Sequence, residues 1–393
     1  MKKNILFVMN NLHCGGAEKA LISLLETMDY NRFNVDLFLF KHEGLFFSKT
    51  PKQVILLPEP SEFQYFDMSA KAAVAGCLKK GRVDIAVSRI QAGFIFRSEK
   101  NRAKCEQRVW KPLSRTLKSI DKTYDIAVGF LEKNPIYFCV EKVHALKKIG
   151  FIHNDYDKLG MDPDLDEQYF DALDHIVSVS ESSVRILQGR FPHYRHKIAL
   201  MHNIVSPNII NKLSFEDADL KRGGFTIVSV GRLHPQKGFD MAIEACGMLI
   251  REGYDIRWLV IGEGNERMKL EKMIEENHLQ QKFILLGMQE NPYPYIRMAD
   301  LYVQPSRFEG KPVAIDEAKI LCKPIVATNF STVKDQIIHN ENGLIVDMTP
   351  EAISEGIKKL IEDQALRNAF VDHLSREQLG TETEIHKFYQ LCM

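Results

Sequence analysis

Residues 225–250 read FTIVSVGRLHPQKGFDMAIEACGMLI, which is a short apolar run, then a polar loop, then a helical pattern. The run 225–231 is mainly apolar without strict alternation, which indicates a strand buried on both faces and hence a parallel sheet. The apolar residues that recur beyond the loop at helical spacing are Phe239, Ala242, Ile243, Cys246, Leu249 and Ile250. This stretch therefore predicts a strand–loop–helix unit of an α/β protein.

Apolar runs of the same kind recur along the chain and predict two series of strands. The first series is 4–9, 33–40, 53–57, 124–130, 148–152, 175–179 and 197–201. The second series is 225–231, 256–262, 282–287, 301–304, 324–328 and 343–346. Two successive βα series predict two Rossmann-like, doubly wound parallel-sheet domains, 1–205 and 206–379, whose ligand sites lie at the carboxyl ends of the strands and face a common cleft.

The segment between the two series is polar and contains Pro207 and the Gly223-Gly224 pair, so residues 203–224 are predicted to form a linker. The last residues, about 380–393, have a helical pattern. We expect this final helix to pack back on one of the domains, and we assign it to the first.

Composition narrows the class of protein. The chain has 393 residues, 45% hydrophobic and 26% charged, which is typical of globular proteins. Its seven cysteines are scattered and include no Cys-x-x-Cys, which argues against a disulfide framework and a thiolate zinc site. The apolar run after Lys2 and Lys3 is too short for a signal peptide, and no run approaches the length of a membrane span. We expect a cytoplasmic protein.

The net charge of zero conceals an asymmetry between the two halves. Residues 1–150 contain 25 Lys and Arg against 15 Asp and Glu, whereas the remainder contains 27 against 37. An ordinary solvated surface explains such a difference. The alternative is that the basic half faces an anionic membrane, or a lipid phosphate, at the inner face of the cell membrane.

The loop 231–238 carries the strongest candidate for anion binding. Arg232 and Lys237 leave the carboxyl end of a strand beside a helix N-terminus, where backbone N–H groups are free. Two fixed cations beside such amides suit a diphosphate. A polar loop in which Gly238 serves the turn is the structural alternative.

A second segment, 308–318, places two carboxylates eight residues apart. Glu309 precedes Pro312, which suits the first position of a helix, and Glu317 lies inside that helix. Carboxylates accept paired hydrogen bonds from sugar diols, and eight residues at helical rise span at most about 12 Å, close to the distance between a sugar and a ribose joined by a diphosphate. A capping Glu309 and a solvated Glu317 are the alternative.

Two weaker signals lie in the first domain. Gly15 and Gly16 follow the first strand, where glycines let the backbone approach a phosphate, although a tight turn also explains them. His153 follows the strand 148–152 and would line the same cleft. A structural hydrogen-bonding role is the alternative for this histidine.

The sequence argues against two classes of enzyme. Nucleotide-dependent dehydrogenases carry a Gly-x-Gly-x-x-Gly motif after a strand. The Gly262-Glu263-Gly264 segment begins in this way, but Arg267 stands in place of the third glycine. The Asp-x-Asp pattern of metal-dependent glycosyltransferases occurs at Asp162 to Asp166, where it reads instead as the acidic start of a helix.

Taken in order, these motifs resemble the family-4 glycosyltransferases of the GT-B fold. The residues that carry the resemblance are Gly15-Gly16-Ala17-Glu18, His153-Asn154, Ser178-Val179-Ser180, Asn203, Gly231-Arg232, Gln236-Lys237-Gly238, Gly262-Glu263-Gly264, Gly287, Glu309 and Glu317. The resemblance covers essentially the whole chain.

The resemblance implies a role for each matching residue. Arg232 and Lys237 would clamp the donor diphosphate, which Gly15 and Gly16 would also approach. Glu309 would hold hydroxyls of the donor sugar, Glu317 those of the ribose, and His153 would sit near the sugar 6-hydroxyl. The remaining donor contacts would come from Gly287, Met288, Gln289, Gly310, Lys311 and Val313, and Lys311 stands where many members carry a hydrophobic residue or glycine.

The resemblance also implies an activity. The family transfers a sugar from a UDP- or GDP-linked donor to a glycan or lipid-linked acceptor, with retention and without an obligatory metal or other cofactor. We expect a hexosyltransferase of cell-surface polysaccharide or glycolipid synthesis that binds no nucleic acid. The alternative from another class is a non-catalytic partner subunit that binds the nucleotide-sugar.

Overall fold

The computed structural model describes residues 2–13, 15–218 and 224–393. It divides into two compact units. The first contains residues 17–202, together with 2–13 and 384–393, and the second contains residues 203–383, together with Gly15 and Gly16. The predicted linker residue Gly223 lies outside the described residues.

The first unit is built on a seven-stranded sheet in which every neighbouring pair is parallel. Its strands are β1 Lys3–Met9, β2 Phe33–Leu39, β3 Ile55–Leu56, β4 Ile120–Gly129, β5 Val143–Ile152, β6 His175–Ser178 and β7 Ile198–Leu200. Its helices are α1 Gly16–Thr27, α2 Gln64–Asp67, α3 Ala70–Lys79, α4 Val83–Ser98, α5 Arg102–Ser114, α6 Asn134–Lys142, α7 Tyr156–Leu159, α8 Pro163–Asp171 and α9 Glu181–Arg190.

The second unit is built on a six-stranded parallel sheet. Its strands are β8 Phe225–Val230, β9 Ile256–Ile261, β10 Phe283–Gly287, β11 Leu301–Gln304, β12 Ile325–Thr328 and β13 Leu344–Val346. Its helices are α10 Pro207–Leu213, α11 Phe239–Arg251, α12 Arg267–Glu276, α13 Tyr293–Met298, α14 Val313–Ile320, α15 Pro350–Glu362 and α16 Gln364–Arg376, and the chain ends in α17 Ile385–Leu391, which belongs to the first unit.

Both sheets have the doubly wound strand order. The first runs β3-β2-β1-β4-β5-β6-β7 and the second β10-β9-β8-β11-β12-β13. In each, the chain direction across the sheet reverses beside the first strand, and the carboxyl ends at this switch point form the usual ligand crevice. The predicted fold class and all thirteen predicted strands are confirmed, with ends shifted by a few residues.

The second sheet is buried on both faces, as its continuous apolar strands predict. Ile227 packs in the core under α11 and α15, whereas its neighbour Val228 packs in a separate core with residues of α13 and α14. Adjacent strand residues point to opposite faces, so two cores sandwich one sheet.

Two parts of the prediction are wrong in detail. The segment 203–224 is not only a linker, because Pro207 begins helix α10 and Ile210 is buried in the second unit. A proline fits the first helical position because its N–H would be unpaired there in any case. Helices α2 to α5 were not predicted, and of these α4 is apolar on more than one face and thus lacks one-sided periodicity.

The final helix packs on the first sheet. Phe388 stacks on Phe7 with ring centroids 5.6 Å apart, and Tyr389 stacks on Phe33 at 5.2 Å. The Tyr389 hydroxyl also accepts a hydrogen bond from the backbone N–H of Asp29. Within the described ranges no helix is both long and apolar enough to span a membrane.

Candidate functional site

The loop after β8 is shaped by glycines. Residues Pro235–Lys237 form one 3₁₀ turn, and Gly238 follows in the left-handed conformation at φ 66°. A Cβ atom at Gly238 would lie 2.0 Å from the carbonyl oxygen of Pro305. Glycine is therefore required at this position by both its backbone conformation and the close approach of the loop after β11.

Hydrogen bonds connect the loop that follows β8 to the loop that follows β11, at the switch point of the second sheet. The guanidinium of Arg307 donates two hydrogen bonds to Asp240, at 2.9 and 2.7 Å, and the Arg307 N–H donates to the carbonyl of Gln236 at 2.7 Å. Burial opposes ionisation of Asp240, but Arg307 outweighs it and holds the pKa of this carboxyl below its ordinary value.

Lys237 of the first loop and Glu309 of the second form an ion pair. The Lys237 ammonium lies 2.5 Å from Oε1 of Glu309, and Ser306 donates its hydroxyl to the same oxygen at 2.7 Å. Gln304 makes a longer contact of 3.4 Å to it. Glu309 is buried and these donors fix its orientation, whereas its Oε2 receives, from the residues that the structure describes, a longer contact of 3.5 Å from Gln236.

Arg232 is placed differently from Lys237. Its side chain is exposed, and it has no hydrogen-bond or ion-pair partner among the residues that the structure describes. Lys237 keeps donor capacity as well, because an ammonium has three N–H groups and the pair with Glu309 uses one of them. The loop thus offers one free cation and one partly neutralised cation.

Glu317 lies on α14 and is buried. Its Oε1 accepts a hydrogen bond from the hydroxyl of Tyr293 at 3.2 Å. Burial, followed by the nearby carboxylates of Glu317 and Glu309, raises the pKa of Tyr302 well above its ordinary value. Both carboxylates therefore lie close to one tyrosine, which the eight-residue spacing does not itself require.

The other predicted donor-binding residues of this unit surround the same strand ends. Gly287 ends β10 with φ 74°, and its carbonyl accepts from the N–H of Gly262 at 2.9 Å. Met288 is exposed, and Gln289 accepts from the Tyr295 hydroxyl at 3.2 Å.

The residues between the two glutamates form the start of α14. Gly310 and Val313 are buried and Lys311 is partly exposed. Pro312 occupies the cap position just before the helix rather than its first residue, so the predicted helix start is wrong by one residue. Its fixed φ still suits the approach to the helix.

His153 belongs to the first unit and has an unusual environment. Its imidazole is buried beside the rings of Phe130 and Phe151. Burial lowers the pKa of His153 to about 4, partly offset by Glu132. Burial therefore holds the ring neutral near pH 7.

Gly15 and Gly16 follow β1 at the switch point of the first sheet. Gly16 begins α1, and a Cβ atom there would meet no atom within 4 Å. Packing therefore gives no reason for a glycine at position 16, and the approach of a phosphate to it stays a prediction.

Several residues that build the site were missed in the sequence. Gln304, Ser306, Arg307 and Tyr293 fix the loops or the two glutamates, and none stands out in a spacing pattern. The one available signal was the position of Gln304 and Ser306 at the carboxyl end of β11.

The Asp-x-Asp pattern has a structural role. Asp166 is buried in α8 and accepts hydrogen bonds from the hydroxyls of Tyr137 and Tyr156. Asp162 occupies the cap position of the same helix without a capping side-chain bond. These aspartates thus begin a helix, as predicted, although Asp162 does not cap it.

Comparison with known proteins finds relatives of the second unit. Residues 211–374 match the family described as "Glycosyl transferases group 1". A Campylobacter jejuni relative, N-acetylgalactosamine-N,N'-diacetylbacillosaminyl-diphospho-undecaprenol 4-alpha-N-acetylgalactosaminyltransferase, is 29% identical over 51% of this chain and 54% of its own length. The capsular polysaccharide biosynthesis glycosyltransferase CapM of Staphylococcus aureus is 29% identical over 43% of this chain and 45% of its own. The chain thus spans about half the length of the curated relatives it matches.

Solved structures show the same fold over the whole chain. HepE of Anabaena, solved with UDP and glucose, superposes with a TM-score of 0.69 at 15% identity, covering 99% of this chain and 98% of that one. TarM of S. aureus, solved with UDP, gives 0.66 at 14% identity and covers 99% of both chains. Residues 211–374 thus match the model of this family, and the resemblance in fold to GT-B glycosyltransferases is confirmed.

Proposed function

We propose that this chain is a retaining glycosyltransferase that moves a hexose from a UDP- or GDP-sugar to a glycan or lipid-linked acceptor. The observation that carries the proposal is the pair of loops at the switch point of the second sheet, where Lys237 pairs with Glu309 and Arg232 of the same loop as Lys237 is exposed. Doubly wound sheets bind their ligands at this place.

The charges suit departure of a nucleoside diphosphate. Negative charge grows on the leaving phosphate as its bond to the anomeric carbon breaks, so fixed cations stabilise the transition state more than the ground state. The planar guanidinium of Arg232, which has no partner in the described ranges, serves this purpose, and Lys237 supplies its remaining N–H groups. The N-terminus of α11, just beyond, adds its amides.

Glu309 is proposed to position the donor sugar rather than attack it. Lys237, Ser306 and Gln304 hold its Oε1 from three directions, which leaves Oε2 to accept from sugar hydroxyls. A carboxylate held in this way is well oriented but weakened as a nucleophile. Glu317 is proposed to bind the ribose, and Gly287, Met288 and Gln289 the nucleobase.

The names of the relatives support the class of acceptor. The C. jejuni relative is named for a diphospho-undecaprenol substrate, and CapM for capsular polysaccharide biosynthesis. We propose an acceptor of the same general kind for this chain, within cell-surface polysaccharide or glycolipid synthesis. We also propose that transfer needs no metal and that the protein works in the cytoplasm, in peripheral contact with anionic membrane at the inner face of the cell membrane.

The first test is a donor screen that measures released nucleoside diphosphate. UDP- and GDP-hexoses are offered with free sugars or with lipid-linked sugars, in the presence of either Mg²⁺ or a chelator. Acceptor-dependent release by the wild type and its loss in Arg232→Ala are expected. Release that requires Mg²⁺ would overturn the metal-independent mechanism.

The same screen separates the enzyme from a binding subunit. A non-catalytic partner would bind one nucleotide-sugar, as measured by calorimetry, yet release no nucleoside diphosphate with any acceptor. That result would favour the partner-subunit alternative, because the site residues would then bind without turnover.

A further inference from the structure

One helix at the surface of the first unit exposes an apolar stripe. On α4, the side chains of Val83, Val87, Ile90 and Phe94 are exposed by 56, 49, 45 and 66%. Their spacing places them on one face of the helix, within a stripe roughly 16 Å long. A monomeric soluble surface seldom leaves such a row of large apolar side chains uncovered.

Helix α4 packs on the first unit through another face, which lies opposite the exposed stripe. The opposite side carries Ile85, Arg89 and Ala92, which are buried. Arg89 donates to the carbonyl groups of Tyr65 and Met68, both at 2.9 Å. Helix α4 is therefore fixed to the protein by one face while its second apolar face has no partner within the described residues.

The charge around the stripe is strongly positive. Residues 68–118 contain 13 Lys and Arg against three Asp and Glu, whereas the rest of residues 1–150 contains 12 of each. The whole basic excess of the first half therefore lies in the segment that forms α3, α4 and α5.

The cations stand at both ends of the stripe. Lys79 and Lys80 precede the start of α4, and Arg97 lies near its end, one turn beyond Phe94. Lys79 and Arg97 are exposed and have no hydrogen-bond or ion-pair partner in the part of the chain that the structure describes. Unpaired cations around an apolar stripe match an anionic lipid surface, where the charges meet headgroups and the apolar side chains enter the acyl boundary.

We propose that the α4 stripe, Val83, Val87, Ile90 and Phe94, docks this protein on an anionic lipid bilayer with the help of Lys79 and Arg97. A second copy of the chain is a poorer occupant, because a symmetric contact would set two strongly basic surfaces against each other. The α4 stripe supplies the residues that make the membrane contact proposed above. It does not depend on sugar transfer.

The test is sedimentation of the full chain with vesicles, without donor or acceptor, so that its outcome is independent of catalysis. Vesicles of phosphatidylcholine alone are compared with equal parts of phosphatidylcholine and phosphatidylglycerol. Binding to the anionic vesicles and its decline with salt are expected, since exposed charges are screened within about 8–10 Å. Equal binding to both vesicles, or to neither, would overturn the proposal.

Two double variants locate the surface. Ile90→Ser with Phe94→Ser should weaken binding roughly tenfold or more, because apolar side chains no longer leave water. Lys79→Glu with Arg97→Glu should weaken it by roughly 25-fold or more, at about fivefold for each basic residue near an anionic surface. Wild-type binding by both variants would overturn the assignment.

Matched controls make the same changes elsewhere. Met268 and Ile338 are exposed apolar residues of the second unit, and Lys334 and Lys359 are exposed lysines there. Serine at the first pair and glutamate at the second should leave vesicle binding within about twofold of wild type, as expected for charges away from the lipid surface. Losses equal to those of the α4 variants would show non-specific attraction and overturn the assignment.

A fluorescence readout tests insertion directly. The native Trp110 and Trp258 are both buried, so they should respond little to lipid. In a Phe94→Trp variant, the emission should shift to the blue with anionic vesicles and not with neutral ones. Co-sedimentation without this shift, or dimerisation in solution that the Ile90 and Phe94 serine variant abolishes, would overturn the bilayer as occupant.

Discussion

Arg232 and Lys237 carry the same charge, but the folded chain leaves them in different states. Arg232 is exposed and unpaired among the described residues, whereas Lys237 is paired with Glu309. Arg232→Ala and Lys237→Ala should each reduce turnover by roughly ten- to a thousandfold, as single transition-state contacts do.

Arg232→Lys serves as the control for charge alone. It should not restore full turnover, because a point charge cannot replace the planar guanidinium. The measurement is steady-state release of nucleoside diphosphate by variants whose circular dichroism matches the wild type. Near-normal turnover in the Arg232→Ala, Lys237→Ala double variant would remove these cations from the mechanism.

The two glutamates should separate kinetically. A ribose contact changes little as the sugar bond breaks, so Glu317→Ala should raise the donor KM more than it lowers kcat. Glu309 is proposed to lie beside the anomeric carbon, so Glu309→Ala should mainly lower kcat. Glu309→Gln should be milder if the residue positions the sugar. A sugar–enzyme adduct at Glu309, or identical KM effects in both alanine variants, would contradict this division.

His153 should give the first unit a characteristic pH dependence. Its pKa is lowered to about 4 by burial, so the folded state binds fewer protons than the unfolded state between about pH 4 and 6.5. The contribution of His153 to the free energy of unfolding is therefore at its full value above pH 6.5 and is lost as the pH falls toward 4. The loss should approach about 3 kcal/mol of the free energy of unfolding.

Denaturant unfolding of His153→Phe provides the comparison. The wild type should lose more stability than this variant between pH 7 and pH 4. Asp166, whose pKa burial raises to about 6, contributes the opposite slope to both proteins and cancels in the difference. Parallel pH profiles would show that His153 is not held neutral.

At the scale of elements, the site depends on how closely two loops approach. Gly238 combines a φ of 66° with a separation of 2.0 Å between a would-be Cβ and the Pro305 oxygen. Gly238→Ala must therefore separate the loop after β8 from the loop after β11. We expect a loss of at least about 2 kcal/mol in stability and a loss of turnover, from backbone strain together with overpacking.

Gly253 offers a matched control for the effect of backbone strain alone. It also has a positive φ, at 92°, but a Cβ there would meet no atom within 4 Å. Gly253→Ala should cost only the strain of its backbone, about 1 kcal/mol, and leave turnover intact. If both variants lose equal stability and keep their activity, the close approach of the two loops is not essential.

At the scale of the whole molecule, the chain leaves the first unit at residue 203 and returns to it at residue 384. Phe388 is fully buried against Phe7, so Phe388→Ala should destabilise the first unit by about 3–5 kcal/mol. Phe370 is equally buried in the second unit, and Phe370→Ala should act there. Denaturant unfolding followed by site-specific probes in each unit should shift one transition per variant. A common shift of both transitions would contradict separate units.

The fold class and all thirteen strands could be predicted from the sequence, and the residue types of the candidate site could be proposed from it. These follow from local patterns, since buried parallel strands are apolar along their length and phosphate-binding loops need cations and glycines near helix starts. Arg232, Lys237, Glu309 and Glu317 could thus be named before their positions were known. Helix α4 could not be predicted in this way, because a helix with more than one apolar face has no single helical stripe to detect.

Only the tertiary structure decided how these residues relate to one another. Lys237 and Glu309 stand 72 residues apart, and they meet because the strand order sets β8 beside β11. Arg307 and Gly238 then hold the two loops together through contacts that no local spacing encodes. Exposure of the α4 stripe is equally a tertiary property. An apolar residue is buried or exposed according to the surface packed against it, and its neighbours in the chain do not decide which.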